Sequence, residues 1–405
     1  MNSTINYSEI LIILVKIKDP DTGDFHFIQK VNTFDAYFQR QMIYLLIVIA
    51  VFIALYFIIT GQQAFGAEPK GERLQRMKQS KLYKDKQFQN LSPTPSIAEG
   101  YSMPKVMYDF FFAKKNPLLK PLKNIPSVHT DLRNLSKREE VFIWLGHSSY
   151  YIQTDGLSFL IDPVLSSYGS PFKFFNKAFA GSDIFKPEDI PNLDYLIITH
   201  DHFDHLDYPT VKAIRNRVNK AILPLGVGAH LERWGYTPDQ LIEEEWGTSI
   251  DLKNDSTIIY TPARHFSGRK VKRNNTLWTS YVLETPTKKI FLGGDSGYDT
   301  HFKMIGETYG PFDFAIIENG QYNEAWKYIH ALPEDVIQAS IDVNAKNIIP
   351  VHSSKFALAL HAWNEPLKKV TELGKGKNLN ILTPMIGEIV DLNKADNHFT
   401  TWWED

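Results

Sequence analysis

No cysteine occurs in the 405 residues. Its absence excludes disulfides, thiolate metal ligands and a cysteine nucleophile, and leaves the redox compartment open. Net charge is nearly absent as well. Forty-four basic residues against 46 acidic ones leave −2, which argues against a nucleic-acid partner recruited by bulk electrostatics. A nucleotide-binding glycine loop is also missing. Gly293, Gly294 and Gly297 lack its spacing and read instead as places where backbone must pass close to other groups. Charge is missing altogether from residues 42–60, which at 1.5 Å per residue cover roughly 28 Å.

What is present centres on Thr199-His200-Asp201-His202-Phe203-Asp204-His205-Leu206-Asp207, three histidines and three aspartates in nine residues. An apolar strand precedes it (195–199), and Asp207 is placed to cap a helix starting near Pro209. The cluster therefore falls on a strand-to-helix loop. In an extended segment His200 and His202 point the same way and Asp201 the other, while Asp204 and His205 follow where the chain turns. This suits two metal ions side by side. A lone His-x-His is often a pair of surface groups; His-x-His-x-Asp-His has little structural reason to exist without a cation. With no thiol available, nitrogen and oxygen must hold it.

The chain divides by texture. Residues 1–41 have no assignable role: 9–18 is an apolar run and 20–24 a turn, and one reading makes Met42 the native start. Residues 42–60 are apolar on every side, which favours an uncleaved transmembrane helix over a core helix or a signal peptide. Lys70, Arg73, Arg76 and Lys78 follow the span and only Lys30 and Arg40 precede it closely, which puts the large domain in the cytoplasm. Residues 61–139 are basic and proline-spaced, a strap with little regular structure. Its aromatic run Tyr108-Asp109-Phe110-Phe111-Phe112 is expected to plug into the domain surface, with a lipid-facing entrance as the alternative.

From residue 140 short β-rich runs (141–145, 150–153, 157–161, 195–199, 221–224, 257–261, 279–283, 289–292, 312–317, 347–351, 379–382) mix with helical stretches (209–219, 333–344, 363–373). That pattern predicts an α/β domain over 140–405, sheets covered by helices. His265, Asp295 and His352 each follow an apolar strand, as the nine-residue cluster does. His330 could protonate a leaving group, hold a phosphate, or simply precede the next helix. His147 could hydrogen-bond a ligand, though packing is the favoured reading, and Trp278 reads as core.

This set, His200-x-His202-x-Asp204-His205, then His265, Gly294-Asp295 and His352, resembles the metallo-β-lactamase superfamily. Trp144-Leu145-Gly146-His147, Asp162-Pro163-Val164, Gly293-Gly294-Asp295-Ser296-Gly297-Tyr298, Gly310-Pro311-Phe312-Asp313 and His330-x-x-Pro333-Glu334 narrow it. They resemble the N-acyl-phosphatidylethanolamine-hydrolysing phospholipase D branch, over residues 140–391. The resemblance implies an αββα sandwich. It implies one zinc on His200, His202 and His265, a second on Asp204, His205 and His352, and Asp295 bridging both; iron or manganese would suit the same donors. It also implies a phosphodiesterase whose nucleophile is a bridging hydroxide, since bound zinc lowers the pKa of water from about 15.7 to near 7. Asp295 would accept the water's proton and His330 is a candidate acid. The implied substrate is a phospholipid at a membrane. A lactonase or other ester hydrolase using the same metals, and a non-catalytic membrane scaffold, are the rival readings. The acyl chains, head group and oligomeric state, a homodimer among the options, are left open.

Overall fold

The computed structural model describes residues 13–30, 33–394 and 396–404, so part of the 9–18 run lies outside the described residues. The chain forms two compact units, one up to Gln62 and one from Gln63 onward. In the first, strands Ile13–Lys18 and Phe25–Lys30 pair antiparallel. Their turn is closed by Asp19, whose side chain accepts from the Asp21 amide at 2.8 Å. A helix, Thr33–Thr60, follows. It starts well before the charge-free run, because Gln39, Arg40 and Gln41 are good helix formers that simply prefix it. Phe38–Thr60 is long and apolar enough to cross a membrane and is unburied.

The second unit holds two seven-stranded sheets. One runs in the order Leu241–Glu244, Val218–Pro224, Leu193–Ile197, Leu157–Ile161, Tyr150–Thr154, Val141–Trp144, Ile389–Asp391. The other runs Ser249–Asp251, Thr257–Thr261, Ser280–Glu284, Lys289–Leu292, Phe312–Glu318, Ala345–Val351, Asn380–Ile381. Each sheet has one parallel half and one antiparallel half. Strand alternation sets the layers. Ile290, Leu292, Phe314 and Ile316 face the first sheet in one large core. Their neighbours Phe291, Ala315 and Ile317 face a second core shared with helices His301–Tyr309, Pro333–Asp342 and Glu365–Gly374. Helices Tyr208–Ile214 and Gly228–Arg233 join the large core through Val211, Ile214 and Leu231. The architecture is the αββα sandwich, and its central strands, such as Leu157–Ile161, are buried on both faces and mostly apolar.

Three expectations need correction. Strand 195–199 is Leu193–Ile197, so the ligand loop opens two residues sooner. The strap is not irregular: it contains helices Gly71–Gln79 and Met103–Phe112 and a small hairpin, and it belongs to the same compact unit as the sheets. Pro104 stands in the first turn of its helix, where no amide partner is lost. Nor does the aromatic run plug the surface. No residue of Met103–Phe112 is buried, and Phe112 is 75% exposed. The plug is Met77 and Phe88, packed on Leu277 and Trp278. Strands Leu241–Glu244, Ser249–Asp251 and Ile389–Asp391 were not foreseen, being short and partly charged.

Phe88→Ala removes a fully buried ring from that junction. It should cost about 3–5 kcal/mol of stability, read by chemical denaturation of the whole chain. A value near zero would make the strap an accessory rather than part of the core.

Candidate metal centre

Every expected ligand comes from the same edge of the two sheets, beyond the carboxyl ends of strands. Leu193–Ile197 leads to His200, His202, Asp204 and His205; Thr257–Thr261 to His265; Lys289–Leu292 to Asp295; Ala345–Val351 to His352. Asp207 caps the helix that ends the first loop, accepting from the Thr210 amide at 3.3 Å. Gly294, at φ +62°, lets two ligand loops touch; a Cβ there would lie 2.9 Å from Thr199 Cβ.

The side chains converge in two groups. His202 Nδ1 lies 2.9 Å from His200 Nε2 and 3.2 Å from His265 Nε2. Asp204, His205 and His352 gather with His147 in another group. Asp295 stands between: its carboxylate is 3.9 Å from His200 Nε2, 3.8 Å from His265 Nε2, 3.2 Å from His205 Nε2 and 3.1 Å from His352 Nδ1.

Electrostatics separates the groups by role. Burial, reinforced by neighbouring imidazoles, pushes His200, His265 and His352 well below the usual histidine range. Burial likewise brings His202 to about 4. His205 is the exception: burial opposes its charge, but Asp295, Asp162 and Asp204 outweigh burial and raise it. Burial pushes the Asp295 carboxyl up to about 6 against the pull of His205. Asp204 is held low despite burial, through its hydrogen bond to His147 and the nearby His205.

These residues fit divalent cations. His205 Nε2, His352 Nε2 and Asp295 Oδ1 are buried without a hydrogen-bond partner, an arrangement that costs free energy unless something else satisfies them. The three imidazole nitrogens around His202 are too close to stand without a shared partner unless each is a well-placed donor or acceptor, and burial keeps all three rings neutral, the form a metal requires. Nitrogen and oxygen donors in two groups match the chemistry of zinc and its neighbours.

The outward ring nitrogens of His200, His205 and His265 are engaged, and Ser148 holds the Nδ1 that His352 turns toward Asp295. Asp162 Oδ2 takes His205 Nδ1 at 2.8 Å, and Asp162 also accepts from the Thr199 amide. Thr199 Oγ1 meets His200 Nδ1 at 3.0 Å, Ile329 O takes His265 Nδ1 at 2.8 Å, and Ser148 Oγ meets His352 Nδ1 at 2.7 Å. His147 Nε2 holds Asp204 Oδ2 at 3.0 Å, so the packing role favoured for His147 gives way to a hydrogen-bonding one. His147, Asp162 and His352 have positive φ, at 54°, 42° and 67°, a strained backbone of the kind concentrated at functional sites. His330 lies in no helix; its Nδ1 sits 2.9 Å from the Glu318 carboxyl and 3.9 Å from Asp295. Trp278 is core, as expected, and its indole donates to Ala263 O. The sequence reading gave no role to Asp162, Ser148 or Glu318. The one usable signal was a charge ending a buried apolar strand, as Glu318 does in Phe312–Glu318. His230, His301 and His361, unassigned from sequence, pair with Asp201, Ser296 and the Gln321 amide.

The groups open into a cavity of about 250 Å³ whose walls include Ile97, Met103, Phe266, Trp326 and Leu358 together with Arg273.

Comparison with known proteins shows the family. Residues 158–353 match the beta-lactamase superfamily domain. An uncharacterised protein of Mycobacterium tuberculosis is 33% identical over 340 residues, 80% of this chain and 88% of that protein. The N-acyl-phosphatidylethanolamine-hydrolyzing phospholipase D 1 of Caenorhabditis elegans is 33% identical over 269 residues, 61% of this chain and 74% of that one. The mitochondrial enzyme of the same name from Saccharomyces cerevisiae is 29% identical over 246 residues, 57% of this chain and 51% of that one. The chain therefore belongs to the metallo-β-lactamase superfamily of metal-dependent hydrolases. Within it, the chain falls in the branch of the N-acyl-phosphatidylethanolamine-hydrolysing phospholipases D.

Asp162→Asn keeps the shape of a side chain that fixes His205 but weakens its acceptor. It should lower metal affinity by about 10–100-fold, read by chelator competition. Unchanged affinity would remove Asp162 from the support of the site.

Proposed function

We propose that the chain is a membrane-anchored hydrolase with two zinc ions, a phosphodiesterase of phospholipase D type acting on N-acyl-phosphatidylethanolamine-like lipids. The observation that carries this reading is the pair of donor groups sharing Asp295 at the floor of a cavity with apolar walls. His200, His202 and His265 would hold one ion, Asp204, His205 and His352 the other, with Asp295 common to both. Bound there, the ions would supply Lewis acidity toward a phosphoryl oxygen and a more acidic water.

The chain's own residues account for the rest. Asp295, standing between both groups, would be placed to accept a proton from water held there. Glu318 is kept neutral by burial, well above the usual carboxylate range, so it can donate to His330 Nδ1 and leave Nε2 as the ring's proton-bearing atom. His330 lines the cavity and would pass that proton to the departing alcohol oxygen while Glu318 gives its own proton to Nδ1. Arg273, on the cavity wall above Phe266, offers a cation to a phosphate.

A lipid is favoured by the mouth. Helix Met103–Phe112 begins at the cavity wall and exposes Met107, Tyr108, Phe111 and Phe112. Lys105, Lys114, Lys115, Lys120 and Lys123 flank them, a pairing of apolar and basic side chains suited to a phospholipid surface. The lipid-facing entrance, the lesser alternative at the sequence level, is thus the reading the exposure supports. Phe38–Thr60 is proposed as the anchor, with the hydrolase unit on the cytoplasmic side by the positive-charge excess after the span.

The zinc-loaded chain, given vesicles containing an N-acyl-phosphatidylethanolamine, should release phosphatidic acid, and chelation should abolish the release. His330→Gln should lower kcat by about 10²–10⁴-fold with a smaller change in KM. Release of no phosphatidic acid by the loaded protein, with turnover of lactones, would replace the phosphodiesterase reading with the lactonase one.

A further inference from the structure

Residues 63–67 open the hydrolase unit, three positions after the helix that ends at Thr60. Gln63–Phe65 is one short helical turn, and Phe65 buries its ring edge-on against Phe172 and Phe203. Phe203 belongs to the ligand loop. The backbone polar groups of this turn go to side chains far away in sequence. Trp234 Nε1 donates to Gln63 O at 2.9 Å, and Arg233 Nη1 donates to Gly66 O at 2.5 Å.

Two further partners of the segment reach the ligand loop. Arg269 is buried and spans both segments with one rigid fork. Its Nε and Nη2 donate to Ala64 O at 3.0 and 2.6 Å. Its Nη1 donates to Asp201 O at 2.7 Å and Leu206 O at 2.8 Å, the two ends of the stretch bearing His202, Asp204 and His205. The guanidinium also lies 4.1 Å from the Phe203 ring centroid. His230 makes the second link. The Ala67 amide donates to His230 Nδ1 at 3.0 Å, which leaves the ring proton on Nε2, and Nε2 donates to Asp201 Oδ2 at 3.1 Å. The other Asp201 oxygen accepts from the Gly268 amide at 2.7 Å. Asp201, pointing away from the centre, is thus clamped from behind between His200 and His202. Gly66 makes the approach possible: its φ is +63°, and a Cβ on it would stand 1.9 Å from His230 Nδ1.

We infer that residues 63–67 are a positioning element of the metal centre, holding the ligand loop through Arg269 and through His230 and Asp201. Arg269 and His230 are positioning residues: they touch no reacting atom. Without the segment, a buried guanidinium loses the acceptor of two donors and His230 loses the bond that sets its tautomer, so the loop carrying four ligands gains alternative arrangements. The inference rests on the metal reading above.

The test uses the full chain in detergent, with zinc affinity measured by competition against a chelating dye and stability by thermal unfolding. Gly66→Ala forces a methyl group into the His230 ring. Arg269→Lys keeps the charge but cannot bridge both segments. The control is Gly306→Ala, whose Cβ would meet Asp342 O at 2.0 Å between two helices of the outer layer. Gly66→Ala and Arg269→Lys should each weaken zinc binding about 10–100-fold. They should also alter the visible absorption of the cobalt-substituted protein. Gly306→Ala should lose stability but hold zinc like wild type. Zinc binding by Arg269→Lys or Gly66→Ala within twofold of wild type, or weakened no more than by Gly306→Ala, overturns the inference. Wild type that takes up no zinc overturns the metal reading and this inference with it.

Discussion

Seven ionisable side chains within a few ångströms of one another, away from bulk water, set the problem that the rest of the chain answers. Burial drives the imidazoles toward their neutral form and the carboxyls toward theirs, and mutual proximity then decides each case. His200, His265 and His352 are surrounded by other imidazoles and stay neutral; His205 is surrounded by carboxylates and does not. Divalent cations resolve both tensions at once, since they bind neutral imidazole and offset carboxylate charge. The metal dependence of this hydrolase is thus a consequence of which groups are buried together.

Holding such a set requires a rigid frame and permissive joints. The frame is the edge where parallel strands of two packed sheets end, so that loops distant in sequence start from fixed points. The joints are the residues with left-handed backbone. Gly294 meets Thr199 too closely for any side chain, while His147, Asp162 and His352 hold that conformation with full side chains. Their strain is tolerable because each is tied by hydrogen bonds on its far side: Trp144 Nε1 donates to His147 O, Thr199 binds Asp162, and the His352 amide donates to His147 O.

The candidate donors that converge were legible in the sequence because their signal is local: a polar residue just after an apolar run, repeated four times, with the densest cluster in nine residues. The buried strands were legible for a related reason, since burial on both faces leaves long apolar stretches such as Leu157–Ile161. What could not be read is what depends on partners far along the chain. Helix Met103–Phe112 carries enough aromatic surface to suggest a plug, and nothing in its own residues says that Met77 and Phe88 already fill that place. Asp162 looks like any aspartate before a proline until the loop holding His205 arrives beside it. His147 is ambiguous alone for the same reason. Strand edges with charges, such as Leu241–Glu244, are hidden because Arg73 and Arg76 of the strap supply partners for Glu243 and Glu244.

The two buried basic side chains nearest the centre show how the fold keeps positive charge from competing with the cations. Arg269 and Lys355 both lie behind the ligand loops and both spend their donors on backbone carbonyls, Lys355 on Leu145 O and Val164 O. Burial pulls Arg269 down to about 10 and Lys355 to about 8, so neither is held charged by a direct carboxylate pair. The carboxylates that could have paired with them are committed elsewhere: Asp162 to His205 and Thr199, Asp201 to His230 and Gly268, Asp204 to His147. A direct salt bridge from either base to Asp204 or Asp295 would remove a candidate metal donor. By giving the bases carbonyls to hold and the candidate donors imidazoles and hydroxyls to lean on, the chain keeps lysine and arginine off Asp204 and Asp295. Carboxylates with no fixed cation beside them, set among buried neutral imidazoles, are a donor set that suits divalent metal.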